Sequence, residues 1–313
     1  MSTHRHPRLR RIVRVLSWLF LLVVAALLVR YARGVDWPQV GAAIAGYGRA
    51  TLVASAALTL ASYLVYCGYE LAARHYSRHA LSTRRVMAIA ATSYAFSLNL
   101  GALIGGAGFR YRLYSRSGLG AGTISRIIGF SVVTNWLGYV VLAGTLFAAG
   151  VVLPPVDWAI SVAGLRLLGL AMLAIAVAYL VACQRWHGRV FHLRGHHFRL
   201  PSPAIATLQA LLASVNWALM AAIVFVLLRQ QVGYPLVLAT LLLGAVATAL
   251  VHIPAGIGVL EAVFLAVLGD AVPQAQTLAA LLTYRALYYL APLLVALAMY
   301  AAFEAGGRRR AVE

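Results

Sequence analysis

Glu261 and Arg285 are the side chains most able to do chemistry in this sequence, because both are ionisable groups inside long apolar stretches. A charge placed in hydrocarbon is costly and marks a binding or relay site by default. Glu261 closes the run Val251-His252-Ile253-Pro254-Ala255-Gly256-Ile257-Gly258-Val259-Leu260-Glu261. Proline removes a backbone donor and the glycines weaken the helix, so the chain is expected to break here, with Pro254, Gly256 and Gly258 as hinges. Such a break survives at membrane depth only where protein or a water-filled cavity shelters the freed backbone groups. Arg285 falls ~13 Å into the span that follows, at ~1.5 Å per residue, and so approaches mid-depth. Glu261 is the acid inside the neighbouring interrupted region, so the two are expected to face each other or to share a polar cavity. That pair would bind a headgroup or a proton, or else act as a static ion pair.

A second group surrounds Gly101-Ala102-Leu103-Ile104-Gly105-Gly106-Ala107-Gly108, where Gly106 and Gly108 are the expected hinges. Arg110 and Arg112 follow directly. Guanidinium groups grip phosphate in bidentate fashion, so a pair beside a turn suits a phospholipid headgroup. The plainer alternative is arginine snorkelling to the interface. Asn99, Asn135 and Asn216 are amides in apolar segments, explained by interhelical hydrogen bonding unless they line the same cavity as Glu261. Tyr284 and Tyr288 are four residues apart and share a helical face. Glu70 lies near the end of its span and is expected at the interface.

Other chemistry is excluded or weak. Cys67 and Cys183 lack metal or redox spacing. The loop from His187 to His197 has four histidines without ordered metal spacing or acids and reads as a basic loop on anionic lipid. No phosphate-binding lysine accompanies Gly106-Ala107-Gly108, and no Ser–His–Asp, HExxH or paired-carboxylate arrangement occurs. The expectation is a non-enzymatic protein with no cofactor and no metal.

The elements that must position these residues are membrane spans. Of 313 residues, 63% are hydrophobic and 11% charged, which indicates an all-α polytopic membrane protein. A net charge of +19 could suggest nucleic acid, but the arginines lie between apolar runs, as in loops facing anionic lipid. Full spans are expected near 15–30, 50–71, 124–150, 161–183, 204–228 and 277–303. The first, behind a basic start at 1–14, reads as an uncleaved signal anchor.

Regions 86–109 and 236–270 do not fit as simple spans. Treating both as re-entrant hairpins gathers most of the 26 arginines on the cytoplasmic side with both termini; odd-numbered crossings abolish that bias. The result is an inverted repeat, 50–150 and then 204–303, with a cytoplasmic tail at 304–313. A shift of 150 residues brings Gly106-Ala107-Gly108 onto Gly256-Ile257-Gly258 and Asn135 onto Arg285. Interrupted helices meeting near the midplane are the architecture of many secondary transporters.

Several motifs together resemble the YbhN-like bacterial inner-membrane proteins. They are Tyr111-Arg112-Leu113-Tyr114-Ser115-Arg116, Thr134-Asn135-Trp136-Leu137-Gly138-Tyr139, Ser214-Val215-Asn216-Trp217, Val251 to Phe264, and Tyr284-Arg285 with Tyr288-Tyr289 and Pro292. That family is similar to the transmembrane half of MprF-type lysylphosphatidylglycerol synthases, where it acts as a flippase for an aminoacylated phospholipid. The ten residues beyond the last span hold no soluble aminoacyltransferase domain, so the resemblance implies lipid handling without lipid synthesis. The expected function is an inner-membrane phospholipid flippase driven by a lipid, proton or ion gradient. Its partners would be anionic or aminoacylated phospholipids. The alternative is a non-transporting scaffold or lipid sensor that recruits a lipid-synthesis enzyme.

Overall fold

The computed structural model describes residues 36–151, 161–193, 196–251 and 256–309. Helices make up nearly all of it: α1 (Trp37–Ala45), α2 (Arg49–Ser77), α3 (Thr83–Leu100), α4 (Phe109–Arg116), α5 (Ala121–Ala148), α6 (Val162–Trp186), α7 (Pro203–Leu227), α8 (Tyr234–Val251), α9 (Val259–Leu268), α10 (Gln274–Tyr284) and α11 (Ala291–Arg309). A two-stranded antiparallel hairpin, β1 (Val190–Leu193) and β2 (His196–Arg199), joins α6 to α7.

Six described helices are long and apolar enough to cross a membrane. Five coincide with expected spans; the expected span at 15–30 lies outside the described residues. The sixth is α8, the first arm of the interrupted region 236–270. Polar loops and caps set the ends: Ser82, Ser161 and Ser202 each accept a hydrogen bond from a first-turn backbone N–H, of Arg85, Gly164 and Ile205. Outward faces carry exposed Val53, Leu60, Leu167, Ile175, Leu211 and Leu294. The interior instead buries Ser55, Ser62, Thr92, Thr134, Gln209 and Asn216. Apolar outside and polar inside is the pattern of a helix bundle in lipid.

Two helical pairs depart from that simple bundle. In the first, α3 ends at Gly101, whose φ of +85° suits glycine, and the chain turns back through a π-helical segment, Ala102–Gly108, into α4. Gly105 packs so tightly that a Cβ would collide with the carbonyl of Phe96. Phe96 stacks on Phe109 with centroids 3.9 Å apart, and Arg85 Nε donates to Ser117 Oγ at 3.3 Å where the pair opens. In the second, α8 and α9 pack against each other. A Cβ on Gly244 would fall 2.5 Å from Leu260 Cδ1. With ten residues, α9 is only ~15 Å long and too short to cross. Gly256 (φ +59°) and Gly258 (φ +81°) supply the left-handed turn; Pro254 lies outside the described residues.

The final rod, α10 through α11, was expected to run unbroken. It contains a second π-helical segment at Arg285–Leu290. Such insertions recur at functional sites, and this one stands between the turns of both helical pairs.

Candidate functional site

The segment Arg285–Leu290 is the hub of the interior. Arg285 Nε donates to Glu261 Oε1 at 2.6 Å and Nη2 to Oε2 at 3.1 Å, the bidentate fork that guanidinium geometry favours. The same Nη2 donates to Gly256 O at 3.0 Å, while Glu261 Oε2 accepts Gly258 N–H at 2.9 Å. The ion pair therefore holds the backbone of the second turn as well as its own charges. From the other pair, Asn99 Nδ2 donates to Tyr289 O at 3.1 Å and to Ala95 O at 2.8 Å. Both turns thus touch one short stretch of the final rod.

Between them lies a buried hydroxyl and aromatic network. Tyr288 OH shares hydrogen bonds with Ser62 Oγ at 2.7 Å and Tyr94 OH at 2.8 Å. Ser62 Oγ donates to Asn216 Oδ1 at 2.7 Å, and Tyr63 OH donates to Tyr288 O at 3.2 Å. Tyr284 stacks on Tyr288 with centroids 5.3 Å apart, as their spacing of four residues predicted. The network ties α2, α3 and α7 to the rod.

Stacking extends it to a second ion pair. Tyr66 stacks on Tyr94 at 3.6 Å and accepts a short hydrogen bond from Arg110 Nη2. Arg110 Nε donates to Glu70 Oε1 at 2.7 Å, and Nη1 to Gly106 O at 3.3 Å. Glu70 also accepts from Tyr114 OH at 2.8 Å and Ser131 Oγ at 2.9 Å. This carboxylate is fully buried. It is not exposed to water as expected of an interfacial carboxylate, because three donor groups from two helices, α4 and α5, replace the water it would otherwise need.

Outside the spans, burial and nearby Arg74 lower the pKa of His79. A neutral ring agrees with its Nδ1 accepting Leu81 N–H at 3.4 Å. Burial likewise raises the Tyr47 phenol to about 12, so it stays protonated as a donor to Leu227 O.

The sequence matches the family model for the lysylphosphatidylglycerol synthase TM region over residues 17–296. The chain belongs to this family. It is 47% identical to inner membrane protein YbhN of Escherichia coli K12 over 305 residues, covering 97% of this chain and 96% of the relative. An uncharacterised protein of Synechocystis sp. is 30% identical over 277 residues, covering 88% and 86%.

In this member of the lysylphosphatidylglycerol synthase TM region family, several expected site residues converge and others do not. Glu261, Arg285, Asn99, Asn216 and Tyr284 all lie in or beside the hub. Asn135 meets α7 through its backbone carbonyl, which accepts Trp217 Nε1 at 3.2 Å, and among the described residues its side-chain amide does not join the hub. Arg110 is buried and held by Glu70, not placed at the mouth of the turn. Arg112 points elsewhere, its guanidinium 5.7 Å from the Tyr300 ring centroid. Residues two apart on a helix diverge, so the two arginines do not form one phosphate clamp. Gly108 has ordinary helical angles, φ −63° and ψ −50°; the positive φ of the first turn belongs to Gly101. Among the described residues, no cluster of three His, Cys, Asp or Glu side chains could hold a metal.

Sequence reading missed Glu70, Tyr66, Tyr94 and Ser62. An available signal was the polar periodicity Ser62, Tyr66, Tyr69, Glu70 along α2, which marks a buried face in a span surrounded by lipid.

Proposed function

We propose that this protein translocates phospholipid across the inner membrane through a site where two oppositely inserted re-entrant hairpins meet. The observation that carries the reading is the convergence of both turns on Arg285–Leu290. Asn99 reaches Tyr289 O from one turn, and Arg285 holds Gly256 O and Glu261 on the other. In this reading α3–α4 and α8–α9 are the two hairpins of an inverted repeat, 50–150 and 204–303. Both termini lie in the cytoplasm, with Arg74, Arg85, Arg126 and Arg199 at that end of the bundle.

Transport follows from the hub being built by contacts to backbone turns. The Arg285–Glu261 fork binds one turn, and a lipid phosphate is a competing bidentate ligand for the same guanidinium. Engagement of the headgroup would release Gly256 and Glu261, and return of Glu261 would displace the headgroup toward the other leaflet. The acyl tails stay in the bilayer throughout. Membership of the lysylphosphatidylglycerol synthase TM region family supports phospholipid as the substrate class.

Reconstitution into liposomes with a fluorescent phospholipid tests this. Protein-containing vesicles should expose outer-leaflet lipid to a quencher faster than protein-free ones, and Arg285→Ala should return the rate to background. Equal rates for wild type and empty vesicles would overturn the proposal. For the topology, Ile257→Cys in a chain lacking Cys67 and Cys183 should react with a periplasmic thiol reagent, since Ile257 is exposed beside the second turn. Reaction only from the cytoplasm removes the external hairpin.

A further inference from the structure

A separate site lies at the arginine-rich end of the bundle, away from the hub. A pocket of about 750 Å³ is lined by His75, Arg78, Arg126, His187 and Arg199, and no acidic residue shares its lining. Through Tyr76, Arg126, Arg199, Leu200 and Pro201 it continues into a groove of about 990 Å³ along α5. The floor of that groove is Gly122, Gly129, Phe130 and Val133, with Tyr179 of α6 and Gln209 of α7 at its sides. A Cβ on Gly122 or Gly129 would meet nothing within 4 Å, so these positions open onto the groove rather than onto another helix. From Gly122 to Val133 the groove extends about 16 Å along the helix.

Hydrogen bonds and a ring contact hold the junction between the two spaces. Tyr76 OH donates to Arg199 O at 2.6 Å and its ring packs on Phe130 at 5.1 Å, which fixes the start of the segment entering α7. Arg126 Nη2 is steadied by Thr123 Oγ1 at 3.1 Å. Both arginines line pocket and groove alike.

We infer that this pocket and groove form a binding site for an anionic phospholipid, with the phosphate at Arg126 and Arg199 and one acyl chain lying along the glycine-lined face of α5. A soluble anion satisfies the basic pocket but leaves the apolar groove empty. A zwitterionic lipid fills the groove without matching the excess positive charge. Only a lipid of net negative charge uses both spaces. The site would load the substrate that the hub moves, a function that Arg110, held by Glu70, does not serve. The inference rests on reading this chain as a lipid-handling protein, and binding is measured apart from translocation so that the two fail separately.

Native mass spectrometry of the full chain in detergent, titrated with phosphatidylglycerol or phosphatidylcholine, is the test. Each basic residue near a lipid surface contributes about fivefold, so phosphatidylglycerol should bind at least about tenfold tighter. Arg126→Ala with Arg199→Ala should bring the two lipids within about twofold, while Arg126→Lys keeps most of the preference and Arg229→Ala at the opposite end keeps all of it. Gly129→Leu, which fills open space, should weaken phosphatidylglycerol binding, and millimolar glycerol phosphate should fail to displace the lipid. Equal affinity of wild type for both lipids overturns the site. So does a preference that survives loss of both arginines. Displacement by glycerol phosphate, together with an unaffected Gly129→Leu, would assign the pocket to a soluble anion instead.

Discussion

The two helical pairs each place one charged residue just beyond their glycine turn, and they use it in opposite ways. In the first, Arg110 stands two residues after Gly108 and turns inward to Glu70 on α2. In the second, Glu261 stands three residues after Gly258 and meets Arg285 on the final rod. Side-chain exposure separates them: 6% and 0% for Arg110 and Glu70, against 12% and 10% for Arg285 and Glu261. Their partners separate them further. Glu70 takes its other hydrogen bonds from side chains of α4 and α5 and only Arg110 reaches the turn, at Gly106 O, whereas both Arg285 and Glu261 hold the backbone of the second turn. The first pair is the more deeply buried, and the second is the one that the proposed transport cycle opens.

Breaking each pair should expose that difference. Glu70→Ala leaves Arg110 buried and uncompensated, and should cost about 3–5 kcal/mol, read as a large fall in thermal unfolding temperature or loss of folded protein. Glu261→Gln keeps an acceptor for Gly258 N–H and should cost less, about 1.5–3 kcal/mol on the same measurement. If the two losses were equal, the second pair would be as structural as the first.

The turns give a smaller contrast. Gly105→Ala places a methyl against the Phe96 carbonyl and should destabilise by about 1–3 kcal/mol, with the shift in unfolding temperature as the readout. Gly108→Ala, at ordinary helical angles, should be close to silent. Smaller than the Gly105 effect, Tyr288→Phe removes the hydroxyl shared with Ser62 and Tyr94 and should cost about 0.6 kcal/mol, typical of interhelical hydrogen bonds in membranes. A much larger loss would mean that the network, and not the ion pair, holds the hub together.

The sequence carried five of the six expected spans and the Glu261–Arg285 meeting because both follow from cost. Apolar length predicts crossing, and two opposite charges in neighbouring apolar segments have few other partners. Glu70 escaped because its position near a helix end suggested water, while its donors come from residues 40 to 61 positions away that no local pattern links to it. The π-helical segment at Arg285–Leu290 was likewise invisible, since an inserted residue in a helix leaves composition and periodicity almost unchanged. Gly101 and Gly105 were hidden inside a glycine-rich run in which only the backbone path tells which residue turns.

The most direct test of the account is the rate of phospholipid translocation per folded protein for Glu261→Gln and Glu70→Gln in the same liposome assay. Glu261→Gln should fall at least about tenfold, equivalent to ~1.4 kcal/mol, while Glu70→Gln, once corrected for the folded fraction, should translocate at the wild-type rate. Full activity in Glu261→Gln, or loss in Glu70→Gln alone, would contradict it.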